Sequence, residues 1–177
     1  MNFRNYFIYL ADYQHWANDA LFNALDRLDD ATRTNPNTLY YGNIHDSLDH
    51  LAFFFKKWHC RLKGEPFIER YSGRQHGDWR ELKNTLRHEI RELQHWLEQQ
   101  PDDYFDHRLT YQRTLNHQES GLWVRDALTH MFTYAALERG HIATAATALG
   151  APNPDMSYYS YRMEMGEHLD HLRKGNQ

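Results

Sequence analysis

Four stretches of the chain carry apolar residues at alternating steps of three and four. The first, from about Asn2 to Leu28, puts Phe7, Leu10, Ala17, Leu21, Ala24 and Leu28 on one face, with no Pro or Gly to interrupt it. In the second, from about Asn43 to Leu62, Ile44, Leu48, Leu51, Phe55, Trp58 and Leu62 form a continuous seam. Asn43 is suited to cap its start, Asp46 sits in the first turn, and Gly64 and Pro66 follow its end. The third begins after Asp78, runs to about Gln99, and carries Trp79, Leu82, Leu86, Ile90, Leu93 and Leu97 opposite a strongly charged face. The fourth ends at Gly150 and carries Val124, Leu128, Met131, Ala135, Ile142, Ala145 and Leu149. The pattern predicts helices near 3–28, 43–63, 78–99 and 122–149.

The segments between them read differently. Asn35-Pro36-Asn37 and Gly42 mark a loop, as do Gly64, Pro66, Gly73 and Gly77. Residues 102–121 show no helical period, and 107–115 reads as a short strand or an extended strap. Pro152 and Pro154 force an extended exit, and the tail has room for a short final helix near 163–173. The expected fold is therefore all-α: an antiparallel four-helix bundle with a long 100–121 connection and a short C-terminal helix, in a single domain over residues 1–177.

Composition narrows the function. The 177 residues can bury a sizeable core. A net charge of −4 with acids and bases interspersed leaves no basic block for nucleic acid. No run of apolar residues is long enough to span a membrane, and the start lacks the pattern of a signal peptide, so a cytoplasmic protein is expected. The single cysteine, Cys60, excludes an internal disulfide and a cysteine-based zinc cluster, and it reads as a packing residue. Gly-rich phosphate loops and G-x-S-x-G are missing, so neither nucleotide binding nor a serine triad is indicated.

The fourth stripe holds the chemistry. Position 138 belongs to it yet carries Glu, and at about 100° per residue His130, Tyr134, Glu138 and His141 fall within about 80° of one another. A carboxylate facing a core is costly unless it is paired, protonated or bound. His50 borders the Leu51 seam of the second helix, so His50 and Glu138 are expected to face each other. Two arrangements satisfy such a set: a hydrogen-bonded polar cluster, or a metal ion.

Motifs along nearly the whole chain resemble those of the DinB-like, or DinB/YfiT-like, family of four-helix proteins. Tyr13-Gln-His-Trp16-Ala17-Asn18 is similar to the family's first-helix motif. Ser47-Leu48-Asp49-His50-Leu51 with Trp58, Arg61-Leu62, Gly64 and Pro66 resembles its second-helix pattern. Leu128-Thr-His130-Met-Phe132 and Arg139-Gly140 resemble its fourth-helix block, and Leu149-Gly150 with Pro154-Asp155 its exit.

The resemblance implies a divalent metal, zinc, nickel or iron, held by three histidines. Carried over, the metal positions are His50, Tyr134 and Glu138, so one ligand is kept and two are substituted; His130 and His141 stand nearby as replacements for a two-His, one-carboxylate set. It also implies a metal-dependent thiol transferase acting on a small molecule, against the alternative of a metal-free, non-catalytic small-ligand or stress-related binding protein. Whether the chain is an enzyme stays open. A homodimer is expected from relatives and from surplus aromatics such as Phe53 and Phe54, which lie off the second helix's seam.

Overall fold

Most helices start where a short polar side chain closes the first turn. The computed structural model describes residues 2–67, 70–113, 115, 116 and 118–174, with side chains of the last helix given through Gly166. Asn2 accepts from the Asn5 amide at 3.0 Å and opens α1, Phe3–Leu25. Asp29 does the same for the five-residue α2, Asp30–Thr34, by accepting from the Thr32 amide at 2.8 Å. Asn43 caps α3, Ile44–Leu62, and Asp78 caps α4, Trp79–Glu98, each accepting from the amide three residues on. These caps satisfy amides that the helix itself leaves unpaired.

After α4 a 3₁₀ turn at Asp102–Asp106 leads into β1, Arg108–Gln112, which pairs antiparallel with β2, Glu119–Trp123. Thr110 faces Gly121 across the pair, and a Cβ at 121 would stand 2.9 Å from the Leu109 carbonyl oxygen, so glycine is required there. β2 runs without a break into α5, Val124–Ala148, which has no side-chain cap. The chain finishes in α6, Tyr158–Lys174. The connection expected over 100–121 thus contains a hairpin, and the final helix is longer than expected.

α1, α3, α4 and α5 share one core: α1 packs against α4 and α5, and α3 against the same two. α4 presents Leu82, Leu86, Ile90, Leu93 and Leu97 inward and charge outward, as its pattern requires. α3 is buried on nearly all sides, because residues 71–76 and β1 cover its outer face. Phe53 and Phe54, expected as surplus surface aromatics, are each 4% exposed. None of the described helices is long and apolar enough to cross a membrane.

On α5 the buried stripe runs Met131, Ala135, Arg139, Ile142, Ala146, so the core position goes to Arg139 rather than Glu138, and Leu149 is exposed. Arg139 is 1% exposed and meets no carboxylate among the described residues; its Nη1 donates to Gln14 Oε1 at 2.5 Å and Asn18 Oδ1 at 3.2 Å on α1. The Tyr13 ring lies 5.4 Å from the guanidinium carbon. A charge buried on amides and a ring alone suits a packing role. Arg139→Ala is expected to cost at least about 2 kcal/mol, as other large-to-small core changes do. Arg139→Met, which keeps the volume and removes the charge, should cost less; denaturant unfolding of the two variants checks the order.

Candidate functional site

The Asn35–Asn43 loop places the first wall of the site. The Asn37 amide donates to the Gly42 carbonyl at 2.6 Å, the Gly42 amide donates back to Leu39 at 2.8 Å, and Gly42 takes φ 89°, a conformation side chains disfavour. This tight turn delivers Tyr41 onto His50 of α3. The two rings stack with centroids 3.8 Å apart, and the Tyr41 hydroxyl and His50 Nε2 share a hydrogen bond of 2.7 Å.

The 63–78 loop supplies the second wall. Asp49, fully buried on α3, accepts from the Tyr71 hydroxyl at 2.9 Å, from the amides of Gln75 and His76 at 2.8 and 3.0 Å, and lies 2.7 Å from His76 Nδ1. Tyr71, anchored this way, packs edge-on against Tyr41, His50 and Phe53 with centroids 5.5, 5.1 and 5.5 Å apart.

α5 closes the site. Tyr134 meets His50 edge-on at 6.3 Å and lies over Phe54 at 4.4 Å. Burial first, then the Tyr41 hydroxyl and the Glu138 carboxylate, push the Tyr134 hydroxyl far above the usual phenol range. Burial likewise raises the Tyr41 hydroxyl, with Glu138 adding to it against a hydrogen bond from Tyr134. Burial, and secondarily Lys57, bring His50 down to about 4, against a smaller opposing effect of Asp49. His50 is therefore a neutral imidazole at pH 7, and its Nδ1 is buried with no partner among the described residues.

Among the expected site residues, the structure brings His50 to Tyr134 and Tyr134 to Glu138. His50 and Glu138 share neither hydrogen bond nor ion pair; His50 is hydrogen-bonded to Tyr41 and meets Tyr134 edge-on, and the Glu138 carboxylate acts on both phenols electrostatically. His130 stands at the exposed edge against Phe54 and Trp58, and burial, Lys57 and Arg61 all lower its pKa. His141 points to solvent with its Nδ1 4.0 Å from Glu138 Oε1. Among the described residues no three His, Cys, Asp or Glu side chains are grouped to hold an ion.

Tyr71 and Lys57 were not singled out from the sequence, and Phe54 was singled out only as a surface aromatic. Of the neighbouring Tyr40 and Tyr41, Tyr40 is 93% exposed and Tyr41 does the packing. Cys60 is half-buried and burial pushes its thiol up, which keeps it protonated and fits a packing residue.

Comparison with known proteins adds one positive result. The sequence model of the DinB family matches residues 1–169. No curated protein matches the chain.

Proposed function

Since the chain belongs to the DinB family, we propose that it is a small-ligand-binding four-helix bundle whose centre is a hydrogen-bonded aromatic cluster in place of a metal ion. In this reading α1, α3, α4 and α5 are the antiparallel helices of the bundle, and the ligand enters beside Tyr41, Tyr71 and Tyr134. The carrying observation is the 2.7 Å hydrogen bond that occupies His50 Nε2.

The donors do not fit a divalent ion. One ring nitrogen of His50 is engaged by Tyr41, Tyr134 holds its proton far into the alkaline range, and among the described residues Glu138 is not grouped with two further His, Cys, Asp or Glu ligands. A metal-dependent thiol transferase would require Tyr41 to release His50 and Tyr134 to ionise or move aside. The unpartnered Nδ1 of His50 is the one observation on that side.

The chemistry left to the chain's own residues is recognition. A neutral imidazole and two protonated phenols offer donors and acceptors beside the rings of Phe53 and Phe54, which orients a ligand without charging it. Protein purified without added metal should carry far less than one zinc, nickel or iron per chain. Glu138→Gln should shift the melting temperature little, because an amide oxygen still accepts a hydrogen bond. Stoichiometric metal that is lost in Glu138→Gln, together with a clear drop in melting temperature, would overturn the reading in favour of the metalloenzyme.

The assembly we infer is a cytoplasmic homodimer. Phe3, Tyr6 and Tyr9 on α1 stay 42, 41 and 45% exposed, and Tyr159 on α6 adds to the same apolar supply. Light scattering at micromolar concentration should return twice the chain mass; the mass of one chain contradicts it.

A further inference from the structure

Next to the His50 centre, α3 and the β hairpin enclose a cavity of about 230 Å³ lined by Lys57, Arg61, Tyr111, Arg113, Leu115 and Asn116. Three of these six side chains are cations, and none is an acid. Arg61 is only 7% exposed, with its guanidinium carbon 4.8 Å from the Trp58 ring and 4.2 Å from the Tyr111 ring. Among the described residues its one hydrogen bond is a long one, Nη2 to the Gln112 carbonyl at 3.4 Å, and its Nε is buried with no partner. Lys57, one turn earlier, rests over the rings of Phe53 and Phe54, each 5.7 Å away.

No described carboxylate forms an ion pair with Lys57, Arg61 or Arg113. Glu65 and Glu119 line the adjoining cavity; Glu65 is joined to Lys63 at 2.8 Å, and Glu119 is in no ion pair with Lys57, Arg61 or Arg113 among the described residues. Two neighbouring cations, desolvated and without a counter-charge among the described residues, are costly, and burial together with Arg61 brings Lys57 down to about 8. Such an arrangement stands ready for an anion supplied from outside.

We propose that Lys57, Arg61 and Arg113 form an anion subsite that takes the carboxylate or phosphate group of a small aromatic or apolar organic molecule. The proposal rests on the ligand-binding reading above and names the class of ligand. Geometry ties the subsite to the His50 centre: Phe53, beneath Lys57, meets His50 at 6.4 Å, and Phe54 meets Tyr134 at 4.4 Å. The anionic head is held by the guanidinium and ammonium groups, and the body lies along this aromatic wall.

The test titrates two probes, phenyl phosphate and the uncharged benzyl alcohol, into wild type, the Lys57→Met/Arg113→Gln double variant and Arg61→Met. Calorimetry reads binding, and circular dichroism checks the fold. Phenyl phosphate should bind wild type and weaken at least tenfold in the double variant, whose exposed Arg113 and half-buried Lys57 can change even if Arg61→Met fails to fold. Benzyl alcohol binding should be unchanged. If both probes bind and neither variant weakens phenyl phosphate, the anion subsite is wrong while the ligand-binding reading stands. If neither probe binds at millimolar concentration, both are wrong.

Discussion

Lowering the pH from 7 to about 4.5 should remove several kcal/mol of folding stability, most of it through His50 and His59. Burial brings both rings down to about 4; Lys57 assists at His50, and Lys63 assists at His59 against the opposing pull of Glu65 and Glu92. They are 7% and 8% exposed, and each has a buried ring nitrogen without a partner among the described residues, so neither gains a compensating acceptor there on protonation. In the unfolded chain a histidine takes up its proton near 6.5. Between 6.5 and 4 the unfolded state therefore binds more protons than the native one, and stability falls as the pH falls. The contribution is fully present above 6.5 and gone below about 4. A shift of this size corresponds to about 3 kcal/mol per ring, hence about 6 kcal/mol for the pair, against a total stability of about 5–15 kcal/mol for typical domains. Glu89 works in the opposite direction, since burial raises its carboxyl, and it blunts the slope near pH 4.5. Denaturant unfolding at pH 7.0, 5.5 and 4.5 measures the slope. His59→Leu keeps the ring's place against Trp96 apolar and should remove about half of it. A stability that stays flat over this range would mean that both rings are protonated inside the fold.

The long helices were legible because their apolar stripes are continuous and their caps are single residues. Asn43 and Asp78 close the first turns of α3 and α4 as their positions imply. Where a boundary was missed, a cap of the same kind had gone unrecognised. α1 stops at Leu25 instead of Leu28 because Asp29, four residues on, caps a new helix. α6 begins at Tyr158 because the Ser160 amide donates to Ser157 Oγ at 3.1 Å, with Asp155 bracing both serines. β2 contains Glu119-Ser120-Gly121, which has neither alternation nor β-branching, and only its partner strand makes it a strand.

The site was half legible for a comparable reason. Residues 138 and 139 are both charged and 145 and 146 are both Ala, so hydropathy alone did not decide whether the α5 stripe steps 135–138–142–145 or 135–139–142–146. The fold takes the second path, with Arg139 as the core residue and Tyr134 and Glu138 on its shoulder. That one-residue rotation turns Glu138 from a core carboxylate into a rim group with a side chain 12% exposed. His50 was expected to face α5 and meets Tyr134 there. Its hydrogen-bond partner, Tyr41, comes from a loop whose path depends on a positive φ at Gly42, which no periodicity encodes.

Asp49→Ala should be the most damaging single change near the site, at about 3–5 kcal/mol, the usual cost of emptying a buried, fully hydrogen-bonded charged position. The carboxylate gathers two backbone amides, a tyrosine hydroxyl and an imidazole from one loop, and the Asp46 carbonyl adds a further acceptor for the same Tyr71 hydroxyl at 3.1 Å. Without it the loop loses its fastening to α3, and the Gln75 and His76 amides are left without an acceptor. The effect should reach His50, because Tyr71 is the wall against which the Tyr41–His50 stack rests. Asp49→Asn offers a sharper comparison than alanine. The amide has almost the same shape, but one of its two oxygens becomes an NH₂ donor, which then confronts donors on at least one side of the site. Its cost should come close to that of alanine, whereas loss of volume alone would make asparagine nearly neutral. Guanidinium unfolding supplies both numbers, and proteolysis within the 63–78 loop reports whether the fastening has opened. An asparagine variant as stable as wild type, with the loop still protected, would show that the four donors do not depend on the carboxylate.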